Sequence, residues 1–141
     1  MSARFFLDTN IFVSSFDSIV PGKAARAREL IRGAVGSREG VVSYQIVQEF
    51  FDVALNRFAI PMTVFEADSY LVTVFRPLLA VHSSEALYGE ALRLMGRHSF
   101  SWRDSLVVAA AVQSECSVLY SEDLKHGLQV GMLKILNPFP G

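Results

Sequence analysis

Four acidic residues stand where apolar runs give way to polar ones, and their chemistry is the first thing the chain offers. Asp8 ends the run Phe5-Phe6-Leu7 in "RFFLDTNIFV" and is followed by Thr9 and Asn10. Glu49, in "SYQIVQEF", sits one turn into an amphipathic stretch beside Phe50 and Phe51. Asp104 lies in the first turn of "SWRDSLVVAAA", and Asp123 follows the run Val118-Leu119-Tyr120 in "LYSEDL". Each acid has an ordinary reading on its own. Asp8 suits an Asx turn, Asp104 a capping box with Ser101, Glu49 an exposed helix face shared with Asp52, and Asp123 a surface turn closing at Gly127. Gathered on one patch, four carboxylates would repel one another, and their pKa values would rise unless a cation were present. A hard divalent ion with oxygen ligands removes that conflict, Mg²⁺ first and Mn²⁺ as the alternative. Zinc is disfavoured, because His82, His98 and His126 are scattered and Cys116 has no sulfur partner.

The elements that would gather them follow from periodicity. Phe5–Leu7, Val41-Val42, Leu78–Val81, Val118–Tyr120 and Leu133–Leu136 are short apolar runs bounded by polar or turn residues, and read as strands. Between them, helices are expected from Gly22 to about Val35 with Pro21 in the first turn, and after a Ser43 cap through Val47, Phe50, Phe51, Ala54 and Phe58. Further helices are expected from the Thr63/Glu66 capping box to about Phe75, from Ser83 or Ser84 through Met95, and from near Ser101. Alternation of apolar strands with helices implies an α/β fold: a parallel sheet of four to five strands with helices on both faces, in three layers. Ligands of such sheets bind beyond the carboxyl ends of the strands, where the strand order reverses. Asp8 and Asp123 both stand just past such ends.

The bulk composition limits the rest. With 141 residues and no internal repeat or linker, the chain fits one domain. An apolar fraction of 51% is ample for a core and suggests that a partner or second copy covers some apolar surface. The longest apolar run, Leu106–Val112, is far short of the roughly 20 residues a membrane span needs. The opening residues lack a signal-peptide layout, and a lone Cys116 suits a reducing compartment, so a cytoplasmic location is expected. Net charge is −1, which excludes a global basic field for nucleic acid. Lysine occurs only at 23, 125 and 134, so arginine supplies most of the forks suited to phosphate.

Taken in order, "FFLDTNIFV", Glu49 in "SYQIVQEF", Asp104 in "SWRDSLVVAAA" and "LYSEDL" before a strand ending "NPF" resemble the PIN-domain family, in particular its VapC-like toxins. The likeness runs over essentially the whole chain. It implies a metal-dependent endoribonuclease with Asp8, Glu49, Asp104 and Asp123 as metal-holding acids, leaving 5′-phosphate and 3′-hydroxyl ends. It also implies Asn10, Thr9 and Ser121 as supports for those acids, an antitoxin protein as partner, and a homodimer. Arg103 and Lys125, with Arg26, Arg28 and Arg32 behind them, are the candidates for holding RNA phosphates, and Trp102 or Tyr44 for stacking a base. A receiver-type phosphoacceptor needs a lysine where none is well placed. A haloacid-dehalogenase-like phosphatase needs a second aspartate where Asn10 stands. The rival that remains is a non-catalytic or DNA-directed binding module of the same architecture.

Overall fold

The computed structural model describes residues 2–139. The chain runs β1 (Phe5–Leu7), α1 (Thr9–Ser14), α2 (Lys23–Ser37), β2 (Gly40–Ser43), α3 (Tyr44–Asn56), α4 (Val64–Tyr70), β3 (Leu79–Val81), α5 (Glu85–Arg97), α6 (Trp102–Gln113), β4 (Val118–Tyr120), β5 (Gln129–Val130) and β6 (Leu133–Leu136). α4 passes directly into a π-helical turn over Leu71–Phe75.

The sheet has six strands in the order β3-β2-β1-β4-β6-β5. All neighbours run parallel except β5 and β6. The chain builds outward from β1 to β2 and β3, then crosses back to β4 on the other side of β1. Because parallel crossovers are right-handed, that reversal puts α1 to α4 on one face and α5 and α6 on the other. Accordingly α1 packs on α2 and α3, while α5 packs on α6. The switch point lies between β1 and β4, at the ends that carry Asp8 and Asp123. Phe6, Leu7, Leu119 and Ile135 are fully buried in the sheet, which is why these strands read as continuous apolar runs. On one face, Phe12, Phe50, Phe75 and Tyr70 form an aromatic cluster, with Phe50 and Tyr70 stacked 4.9 Å apart. This cluster anchors α3 and therefore Glu49, the residue before Phe50.

Three local differences from the sequence reading have physical causes. The sequence reading assigned no element to α1; its six residues are too few for a helical period, and it forms because Ile11 and Phe12 are fully buried. The sheet is wider than four to five strands. β5 joins β6 through a two-residue turn, in which Gly131 takes a φ of +59 that suits glycine. Ser43 occupies the cap position of α3, but its hydroxyl makes no capping bond and has no partner among the described residues. Other boundaries agree closely: Thr63 and Glu66 form the reciprocal capping box, and Ser84 and Ser101 cap α5 and α6. Helix α2 begins after Pro21 and Gly22 rather than on them.

Candidate functional site

The strand β1 ends by pairing its next residue, Asp8, to β4: the Asp8 N–H donates to the Tyr120 carbonyl at 3.0 Å. That pairing fixes the carboxylate at the switch point, wholly buried. A buried carboxylate must find donors, and Asp8 finds them on both oxygens. Oδ1 accepts from the Thr9 N–H at 2.7 Å and from Arg103 Nη2 at 2.7 Å. Oδ2 accepts from the Ser121 hydroxyl at 2.8 Å, Arg103 Nη1 at 3.3 Å and Asn10 Nδ2 at 3.4 Å.

Arg103 is the centre of the arrangement. Its Nε and Nη2 donate to the two oxygens of Glu49 at 3.0 and 2.5 Å, and its Nη1 donates to Asp104 Oδ1 at 3.2 Å. One guanidinium therefore touches Asp8, just past β1, Glu49 in α3 and Asp104 in α6. Burial alone would lower the tendency of Arg103 to hold its proton. Hydrogen bonds and charge from Glu49 and Asp8 outweigh that and raise its pKa. Burial likewise pushes Glu49 upward, but bonds from Arg103 and Thr9 win and hold its carboxyl below the ordinary value of 4.5. Thr9 donates its hydroxyl to Glu49 Oε1 at 2.6 Å.

Asp123 joins through an amide. Asn10 Nδ2 donates to Asp123 Oδ2 at 3.1 Å as well as to Asp8, while Asn10 Oδ1 accepts the Glu122 N–H at 3.1 Å. The Ser121 hydroxyl accepts the N–H groups of Asp123 and Leu124, so β4 and its following turn are laced to Asp8. Glu122 points elsewhere, to Lys23 at 2.7 Å. Asp104 has its N–H capped by Ser101, yet its carboxylate does not return to complete a capping box; it turns to Arg103.

Sequence reasoning missed Gln45. Its Nε2 donates to the Arg103 carbonyl at 3.2 Å and to Glu49 Oε2 at 3.4 Å, clamping α3 to the start of α6. The only hint was its position four residues before Glu49, on the same helix face. Arg103 was expected to face RNA phosphates, whereas here its donors are spent on the acids. Lys125 is exposed beside Asp123. Arg26 is turned to the Pro138 carbonyl and Glu29, and Arg28 and Arg32 line a separate recess of about 200 Å³ with Phe16 and Tyr70. Trp102 is 40% exposed near Tyr88, while Tyr44 packs against the core. His82 lies just past β3 and is exposed; His126 accepts the Asn137 N–H, and His98 stacks on Phe100.

As they stand, no three acidic, histidine or cysteine side chains among the described residues are close enough to share a metal ion. The donor chemistry nonetheless fits a hard cation: the convergent groups are carboxylate oxygens, one acid is fully buried, and a positive group already sits among them. The Arg103 guanidinium lies between Asp8, Glu49 and Asp104.

A parallel sheet with its acids at the switch point and helices on both faces is the PIN-like fold, and comparison with solved structures shows the same architecture. A toxin–antitoxin complex from Klebsiella pneumoniae matches with a TM-score of 0.69 at 13% identity, over 95% of this chain and 97% of that one. The VapC20 toxin of Mycobacterium tuberculosis, described as cleaving the sarcin–ricin loop, matches with a TM-score of 0.62 at 15% identity, over 84% and 91%. VapBC2 of Rickettsia felis, bound to a fragment of its promoter DNA, gives 0.62 at 15% identity, over 93% and 96%. No family model and no curated protein matches the sequence.

Proposed function

We propose that this chain is a metal-dependent endoribonuclease, the toxin of a toxin–antitoxin pair, working in the cytoplasm as a homodimer with Mg²⁺ or Mn²⁺. The observation that carries the reading is the convergence of Asp8, Glu49 and Asp104 on one positive group, with Asp123 tied in through Asn10. When bound, the divalent ion would polarise the phosphodiester and acidify water. The chain's own residues supply the frame. Asn10, Ser121 and Thr9 hold the carboxylates in place by hydrogen bonds to Asp8, Asp123 and Glu49. Asp104 Oδ2 accepts no hydrogen bond among the described residues, and the side chain is 26% exposed at a helix N-terminus. That free oxygen makes it the acceptor best placed to take a proton from an attacking water. Lys125, exposed beside Asp123, is the group open to an RNA phosphate.

Ile60, Val64 and Phe65 are each more than 80% exposed, which supports an apolar surface covered by a second copy or an antitoxin. A monomer by sedimentation at assay concentration would remove the homodimer from this reading. The activity is tested by incubating the purified chain with structured RNA and with single-stranded DNA, in Mg²⁺, Mn²⁺ or EDTA. Cleavage of RNA to 5′-phosphate ends is expected, lost both in EDTA and in Asp104→Asn. Persistence of cleavage in both conditions would sink the mechanism. The arginine-filled site favours one alternative, a non-catalytic nucleic-acid or protein-binding module, for which no metal yields cleavage of any substrate.

A further inference from the structure

We propose that Arg103 and the divalent ion are alternative occupants of one seat, so that the chain carries its own exchangeable cation and metal must displace it. The inference rests on the metal-dependent reading above and concerns how that site is loaded. The Arg103 fork engages Asp8 Oδ1 and Oδ2, Glu49 Oε1 and Oε2, and Asp104 Oδ1. A further Nη2 contact reaches the Thr9 hydroxyl at 3.1 Å. These carboxylate oxygens are the ones a hard ion would need, and Mg²⁺ demands them at about 2.0–2.1 Å in near-octahedral order. Two positive centres cannot share them. The carboxylates are instead arrayed around the nitrogens of a flat group that contacts all three acids, and no three of them are grouped closely enough to share an ion.

The seat is stable without metal because the guanidinium neutralises the buried Asp8, and it is also reversible. Arg103 is the second residue of α6 and its side chain is 33% exposed, so the fork has a path to solvent that leaves the helix intact. Gln45 holds the Arg103 backbone carbonyl, which fixes the main chain while the side chain moves. Once displaced, the fork stands beside the site with its donors free, where bidentate phosphate contact is its ordinary use. Metal loading thereby frees the residue that the sequence marks as a phosphate ligand. Apparent metal affinity is lowered by the fraction of molecules in which the arginine holds the seat.

Calorimetric titration of metal-free protein with Mn²⁺ tests the exchange in wild type and Arg103→Gln. The variant is expected to bind roughly tenfold more tightly or better. The gain should persist at about 0.5 M salt, where a diffuse charge effect is screened. A second measurement needs no variant: the Arg103 Nε–H resonance of the wild type is followed during Mg²⁺ titration. It is expected to leave its Glu49-bonded position as the ion saturates. If wild type binds metal but Arg103→Gln binds no more tightly, or if the resonance holds its position at saturation, the exchange is refuted and the metal reading stands. If neither protein binds Mn²⁺, both fall.

Discussion

Replacing Asp8 by asparagine separates the structural work of this acid from its chemical work. The substitution exchanges one oxygen for an NH₂ group of nearly the same size. Whichever way the amide turns, that group meets donors: the Thr9 N–H and Arg103 Nη2 on one side, Asn10 Nδ2 and Arg103 Nη1 on the other. The Ser121 hydroxyl cannot simply reverse its role, because its oxygen already accepts two backbone N–H groups. Breaking a buried ion pair from one side costs about 3–5 kcal/mol. Here Glu49 and Asp104 still hold the guanidinium, and a third of its side chain is exposed, which reduces the loss to about 2–3 kcal/mol. For a domain of this size that corresponds to a fall in Tm of roughly 6–12 °C. Asp123 is the internal control. It is exposed and takes one side-chain hydrogen bond, so Asp123→Asn should cost less than about 1 kcal/mol. Urea unfolding in EDTA at neutral pH reads both variants without metal linkage. Equal stability of Asp8→Asn and wild type would refute the buried, five-donor environment argued for Asp8. Asp104→Asn, at a partly exposed helix start, is therefore the cleaner probe of chemistry.

The depressed pKa of Glu49 predicts a pH signature. A carboxylate whose folded pKa lies below its unfolded value contributes stability that is fully present above the unfolded pKa and lost as pH falls through the folded one. The stability difference between wild type and Glu49→Gln should therefore be largest near neutral pH and shrink below about pH 4.5 in chemical denaturation; a pH-independent difference would contradict the pairing with Arg103. In the fold itself, Gly40 opens β2 directly under α2, and a Cβ there would overlap Ala34, backbone included. Gly40→Ala should cost about 1–3 kcal/mol in thermal or urea unfolding through overpacking, whereas Gly36→Ala, with open space around it, should not destabilise.

Much of this molecule was legible in one dimension because the signals were local. β1 and β4 are apolar runs cut off by polar residues, and both appear at the expected residues. Thr63 with Glu66, Ser84 and Ser101 announced three helix starts through capping chemistry that needs only a few neighbouring residues. Elements too short to show a period, such as α1 and β5, were not legible, since α1 forms from burial and β5 from pairing with β6. The π-helical turn after α4 also lacked a signal: the Arg76 N–H donates to the Leu71 carbonyl five residues back, while the Thr73 hydroxyl donates to the Ser69 carbonyl.

The acids divide along the same line. By itself, the sequence determined which carboxylates follow strands or open helices, because apolar runs and caps are patterns of adjacent residues. It also determined that Asp8 and Asp123 would share an end of the sheet, since parallel strands point their carboxyl ends one way. Only the tertiary structure decided that Asp123 rather than Glu122 turns toward Asp8, with Lys23 drawing Glu122 away. Only it decided that Arg103 lies among the acids instead of facing solvent, and that Gln45 belongs to the site. Those outcomes depend on which charges from distant segments meet in a place that excludes water. There the need to neutralise one buried carboxylate outweighs any preference a residue carries in its own stretch of chain.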